Sequence, residues 1–222
     1  MTHFKNLSNI DVDTASISDA ADSIGLLDRW LPSIVARVPG ARAVGPAYTV
    51  SYQLLSDDQS GYRNAANYID DVPAGAFVVS VNSTGVSCTT WGGILAVTAQ
   101  QKKISGAIIS GYARDIHTVN RIGFPLFSEG VSMVSAKNRI QLHATQIQVE
   151  IDGVAINPGD LVVADDNGVI VIPQDRVETV LNRAFSVEEV EHDIVCAVRN
   201  GVPLKEARTI YGYATPWQRS VN

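Results

Sequence analysis

Arg114 and Asp115 stand side by side after an apolar run, Gly106-Ala107-Ile108-Ile109-Ser110, and a short link, Gly111-Tyr112-Ala113. A guanidinium grips a carboxylate through two parallel hydrogen bonds. A neighbouring carboxylate can hold a hard divalent cation that keeps most of its waters. Together the pair suits a small anionic substrate. Upstream, Gly92-Gly93-Ile94-Leu95 opens another helix. The first N–H groups of a helix lack intrahelical partners and bind carboxylate or phosphate, and glycine lets the ligand come close. Each motif also has a plainer reading. A glycine pair is common punctuation, here a tight turn under Trp91. Arg-Asp alone reads as a surface arginine followed by an acid that favours the helix dipole. Context favours chemistry: both loops follow a buried strand and open a helix, which places them on one carboxyl edge of a sheet.

Other reactive residues lack a supporting pattern. His3, His117, His143 and His192 form no H-x-H or H-E-x-x-H spacing. Ser87, Cys88, Thr89 and Thr90 carry no G-x-S-x-G elbow. There is no G-K-[ST] and no G-x-G-x-x-G after a strand, so nucleotide cofactors are not expected. Asp165-Asp166-Asn167-Gly168 lacks the later glutamate of a calcium loop and reads as a hairpin turn. Glu188, Glu189 and Glu191 read as a solvated helix face. Lys102 and Lys103 fall late in a helix, so neither loop offers a Schiff-base lysine. Cys88 and Cys196 are far apart, with no C-x-x-C, and read as small buried residues.

The elements that must hold these loops are legible from periodicity. Residues 14–28 read as an amphipathic helix with a capping box at Ser16-Ile17-Ser18-Asp19, and with Ile17, Ala20, Ala21 and Ile24 on one face. Residues 43–54 read as a strand with a bulge or edge near Gly45-Pro46. A short helix over 61–69, a strand over 77–81 and a polar loop over 82–87 follow. A helix over 94–103 has Ile94, Leu95, Val97 and Thr98 inward. The strand over 106–110 leads into a short helix ending near Ile122, then a strand over 123–127. Residues 146–173 are β-rich with turns, and 175–200 form the longest helix, ended by Asn200-Gly201. This order predicts a central α/β layer with a β layer packed on it.

Composition agrees. Of 222 residues, 45% are hydrophobic and 18% charged, a globular balance. A net charge of −6 and the lack of a basic run argue against nucleic-acid or membrane-surface binding. No apolar stretch is long enough to span a bilayer, and Met1-Thr2-His3-Phe4-Lys5-Asn6 does not resemble a signal peptide, so a cytoplasmic protein is expected.

The runs Trp91-Gly92-Gly93-Ile94-Leu95, Gly106 through Asp115, and Gly123-Phe124-Pro125-Leu126-Phe127 resemble the RraA-like family. That family includes 4-hydroxy-4-methyl-2-oxoglutarate aldolases and regulators of ribonuclease activity. Ile17-Ser18-Asp19-Ala20, Pro39-Gly40-Ala41-Arg42-Ala43-Val44-Gly45-Pro46-Ala47 and the stretch from Pro158 to Pro173 extend the likeness over about residues 14–201.

The resemblance implies a swivelling β/β/α-type α/β fold. It would be a single domain over 1–222, with a central sheet layer, a packed β layer and a C-terminal helix. The core would cover 14–201 and a helical extension 202–222. The resemblance further implies a homotrimer or hexamer with active sites between subunits. Gly92, Gly93, Ile94 and Leu95 would bind the carboxylate of a small keto acid. Arg114 would bind the keto acid and stabilise its enolate, and Asp115 would ligate Mg²⁺ or Mn²⁺. A glutamate from a neighbouring subunit's C-terminal helix would join them; Glu191 is the best match and Glu188 the alternative. The implied activity is that of a class II aldolase on 4-hydroxy-2-oxo acids, with oxaloacetate decarboxylation beside it. A non-catalytic regulator that binds a ribonuclease or another protein is the alternative. A related lyase or isomerase, with residues 56–63 lining its pocket, is a third reading. Two positions depart from the aldolase pattern: Gly93 and Ser110 stand where acids are common.

Overall fold

The structure is a computed structural model and describes residues 12–55 and 66–218. The loop expected at 56–63 and the start of the helix expected at 61–69 lie outside the described residues.

Four parallel strands carry the centre of the main sheet: β2 (Ala43–Leu54), β3 (Phe77–Val81), β5 (Gly106–Ala113) and β6 (Leu126–Val131). Strand β1 (Val35–Ala36) adds to β6 in antiparallel fashion. Strand β4 (Thr89–Trp91), within a stretch read from sequence as loop, runs beside the end of β5. Strands β10 (Leu161–Asp165) and β11 (Gly168–Ile172) form a hairpin, and β7 (Ile140–Thr145) pairs with the far end of β2. A small separate hairpin joins β8 (Val149–Ile151) to β9 (Val154–Ile156).

Strand β2 is the swivel of the sheet. Residues 43–46 pair with β10, 47–51 with β3, and 50–54 with β7. Pro46, which has no N–H to donate, sits where the strand passes from one partner to the next. Residues 43–46 pair with β10 alone among the described strands, so the start of β2 is open on its other side, as expected near Gly45-Pro46; the register shift falls further on, between Ser51 and Tyr52. Gly45 is required by close approach, because a Cβ there would collide with the Gly75 carbonyl and the Ser105 hydroxyl.

The β10–β11 hairpin is buried on both faces. Val162, Ala164, Val169 and Val171 face the main core. Leu161, Val163, Ile170 and Ile172 face a second core built by helices α1 (Thr14–Asp22) and α4 (Val177–Arg199). The period-two split of one apolar run between two cores explains why the sequence shows no polar alternation there.

Helix α1 is shorter than expected, and Asp13 rather than Ser16 caps it, accepting from the Ser16 amide. Its start is tied to the rest of the molecule. Asp165 accepts from the Thr14 amide and hydroxyl, and Glu188 on α4 accepts from the Asp13 amide and the Ser16 hydroxyl. Helices α2 (Gly93–Gln101) and α3 (Ile116–Ile122) follow β4 and β5. Helix α5 (Leu204–Tyr211) packs on the end of α4 around Val190, Ile194, Ala197 and Ala207. Among the described residues no helix is long and apolar enough to cross a membrane.

Candidate active site

The two loops singled out from sequence meet. Strand β4 runs parallel to the end of β5, and the Arg114 amide donates to the Trp91 carbonyl at 2.9 Å. Gly92, Ile94, Leu95, Arg114 and Asp115 thereby line one cavity of about 370 Å³. Its floor includes Thr90 and Trp91, and Trp91 is fixed from behind by stacking on Phe124 at 5.7 Å between ring centroids. Thr90 is held by a 3.2 Å contact with the buried Ser80 hydroxyl.

Helix α2 begins one residue earlier than expected, with Gly92 as its N-cap. The amides of Ile94 and Leu95 make no hydrogen bond among the described residues, so the start of the helix keeps two donors for an anion. The Gly93 amide is occupied: it donates to Asp115 Oδ2 at 2.9 Å. Arg114 Nε lies 3.8 Å from the same oxygen. Asp115 has φ of 57°, in the left-handed region that aspartate tolerates better than most residues. That turn places its side chain on α2, although its backbone caps α3.

One expectation about α2 is overturned. Ile94 and Val97 point outward, Ile94 being 83% exposed, while Gly93, Leu95, Ala96 and Ala99 face inward. The sequence rule assigned the large apolar residues to the core. The space between α2 and α3 is too narrow for them: a Cβ on Gly93 would lie 3.2 Å from Thr118 Cγ2 and 3.3 Å from Asp115 Cβ. At one departure from the aldolase pattern, Ser110 donates to Glu129 Oε1 on β6 at 2.6 Å, so a carboxylate reaches this position from the next strand. Glu129 was not singled out from sequence; only the pairing of β5 with β6 brings it there.

Lys137 was also missed. The segment after β6 is drawn to β4 by bonds from the Thr89 amide to the Val134 carbonyl and from the Ala136 amide to the Thr89 carbonyl. Ser135, Ala136 and Lys137 join the cavity wall as a result. A lysine in a loop with no motif gives no sequence signal. Asn67 and Asp70, from the 3-10 turn Asn67–Asp71, line the same cavity.

The donor set fits a hard, largely hydrated divalent cation rather than one fully wrapped by protein. Asp115 and Asp70 are the carboxylates in the lining, and among the described residues no three His, Cys, Asp or Glu side chains converge on one point.

Glu191 lies elsewhere. It lines a second cavity of about 410 Å³ with Asp19, Asp22, Tyr213 and Trp217. Burial raises the Glu191 carboxyl above the ordinary carboxylate range, with Asp13, Asp19 and Glu188 adding repulsion. Burial also raises Asp19, helped by Asp22 and Asp13. The arginine and the open helix start belong to the first cavity, although the two volumes are similar. Glu188 is not merely solvated, because it holds the start of α1 within its own chain. His117 is exposed, and Cys196, expected to be buried, is partly exposed with Sγ 3.5 Å from His192 Nε2.

The sequence model of the RraA-like family, Aldolase/RraA, matches residues 14–171. The chain belongs to the RraA-like family. Its relatives include Protein DlpA of Legionella pneumophila, 39% identical over 208 residues. That match covers 94% of this chain and 34% of DlpA, so the chain spans about a third of that relative. A Halalkalibacterium halodurans protein whose name proposes 4-hydroxy-4-methyl-2-oxoglutarate aldolase activity is 29% identical over 173 residues, 78% of each chain. An uncharacterized Pseudomonas syringae pv. tomato protein of known structure superposes with a TM-score of 0.81 at 47% identity, over 89% of this chain and 93% of that one. Streptomyces coelicolor RraAS2, described as an unusual member of the RNase ES inhibitor RraA family, superposes with a TM-score of 0.72 at 26% identity, over 83% and 92%. These neighbours share the swivelling mixed α/β fold with its C-terminal helices.

Proposed function

We propose that this RraA-like protein is a divalent-cation-dependent lyase, a class II aldolase. It cleaves 4-hydroxy-2-oxo acids such as 4-hydroxy-4-methyl-2-oxoglutarate to pyruvate and decarboxylates oxaloacetate as a side activity. One observation carries the reading: Arg114, Asp115, and Ile94 and Leu95, whose amides have no partner among the described residues, line a single cavity.

Breaking the C3–C4 bond, with loss of the C4 hydroxyl proton to water and release of a second keto acid, or with loss of CO2 from oxaloacetate, leaves an electron pair on the carbon next to the keto group, as a pyruvate enolate that then takes a proton from water. The α2 amides bind the carboxylate beside that keto group and fix its orientation. Arg114 lies beside the same helix start and donates to the oxygen on which charge develops. Asp115 would hold Mg²⁺ or Mn²⁺, which would supply Lewis-acid stabilisation of the developing charge. Trp91 and Leu95 form an apolar part of the cavity lining. Lys137 provides a second cation for the distal carboxylate of the 4-hydroxy-2-oxo acid, which stays on the second keto acid released. Glu191, far from this lining in its own chain, acts in the cavity of a neighbouring subunit of a homotrimer or hexamer.

The test is pyruvate release from oxaloacetate and from 4-hydroxy-4-methyl-2-oxoglutarate, with Mg²⁺, with Mn²⁺ and with chelator. Turnover that needs the cation is expected. No turnover of either substrate with either cation overturns the proposal. Sedimentation checks the assembly, and a monomer removes Glu191 from the site.

A second reading is a non-catalytic regulator of a ribonuclease or another protein. It is favoured by Gly93 and Ser110 and by the likeness to RraAS2. An inactive protein that inhibits a ribonuclease at stoichiometric concentration would establish it.

A further inference from the structure

We propose that Asp115 is also an internal occupant of the anion cradle. Its carboxylate fills the substrate-carboxylate position in the empty protein and must leave before an anion binds fully. This rests on reading the cavity as a keto-acid site.

The two groups offered to a substrate carboxylate are the α2 amides and the Arg114 guanidinium. Both converge on one atom, Asp115 Oδ2, at 2.9 Å from the Gly93 amide and 3.8 Å from Arg114 Nε. An anion seated on all three α2 amides therefore competes with a carboxylate that belongs to the chain. Gly92 makes the arrangement possible: a Cβ there would lie 2.9 Å from that oxygen and 3.3 Å from Arg114 Nε. The left-handed backbone of Asp115 aims its side chain at α2 and away from its own helix, where an N-cap aspartate ordinarily bonds.

The contact is built to be displaced. The side chains of Arg114 and Asp115 are 40% and 48% exposed, so water screens the pairing.

The test uses the metal-stripped full-length protein and oxalate, a small dianion, titrated by calorimetry without added cation. Asp115→Gly removes the occupant and suits the left-handed backbone. It is expected to bind oxalate about two- to fivefold more tightly than the wild type. Asp115→Asn, which keeps the shape without the charge, falls between the two. Asp70→Asn removes a carboxylate from the same lining that makes no bond to α2, and it controls for general repulsion. A gain with Asp115→Gly and little gain with Asp70→Asn supports the proposal. If the wild type binds oxalate and Asp115→Gly binds no tighter, or Asp70→Asn gains as much, the internal occupant is overturned and the keto-acid reading stands. If no form binds oxalate, the internal occupant is overturned, and the keto-acid reading is decided by the pyruvate-release assay with cation.

Discussion

The Arg114 amide donates to the Trp91 carbonyl at 2.9 Å, and this bond sets the end of β5 against the end of β4. Gly92 follows at once, in extended backbone, with φ of −153°. Its lack of a side chain is a matter of space and not of strain. A methyl group at 92 meets Asp115 Oδ2, Arg114 Cγ and Arg114 Nε within 2.9 to 3.3 Å. Gly92→Ala is expected to displace both side chains and lower kcat/KM on oxaloacetate at least ~10-fold. The overpacking costs about 1–3 kcal/mol of stability, so the variant stays folded. Circular dichroism beside the pyruvate assay checks this, and full activity would show that the site tolerates a methyl group at 92.

Arg114→Lys keeps the charge and loses the planar fork. A point charge binds a carboxylate or enolate without the second hydrogen bond, so kcat/KM should fall about 100-fold, roughly 2.7 kcal/mol. Steady-state kinetics on oxaloacetate decides it, and a loss under about threefold would exclude bidentate binding by Arg114.

Lys137→Met retains the alkyl stem and removes the ammonium. KM for 4-hydroxy-4-methyl-2-oxoglutarate should rise ~10-fold, while inhibition by pyruvate, a monocarboxylate, should change by less than about twofold. An equal effect on both ligands would place Lys137 at the other carboxylate or outside binding altogether.

Glu191→Gln tests the second cavity through pH. Glu191 and Asp19 hold their protons to a higher pH in the folded chain than in the unfolded one. Between the ordinary carboxylate range and their raised values the folded chain binds more protons, so stability falls as pH rises through that window and returns as pH drops. Glu191→Gln is expected to raise Tm at neutral pH and to flatten this gain on acidification. A series of thermal melts from neutral pH into the carboxylate range measures it; a Tm lowered at neutral pH would contradict the repulsion.

Glu188→Ala removes the acceptor of the Asp13 amide and of the buried Ser16 hydroxyl. Leaving a buried donor unpaired costs about 1–3 kcal/mol. In a chain of this size that lowers Tm by roughly 2–4 °C per kcal/mol. Unchanged stability would mean that water replaces Glu188 at α1.

The sequence alone determined what depends on local order. Strands over 77–81 and 106–110, the long helix near 175–200 and the turns of the β-rich part follow from hydrophobic period and turn residues, which any fold must satisfy. It also placed Gly92 and Arg114-Asp115 each after a strand and before a helix, which was enough to put them on one sheet edge. Tertiary structure decided everything that depends on what lies across from a residue. Ile94 turned outward because Thr118 and Asp115 fill the space behind Gly93. Lys137 joined the cavity because the Thr89 backbone captures its segment. Glu129 met Ser110 through strand pairing. Asp115 settled on the Gly93 amide because a left-handed turn aims it there. Periodicity reports which way a side chain faces within its own element; the partner it meets is set by packing between elements distant in sequence.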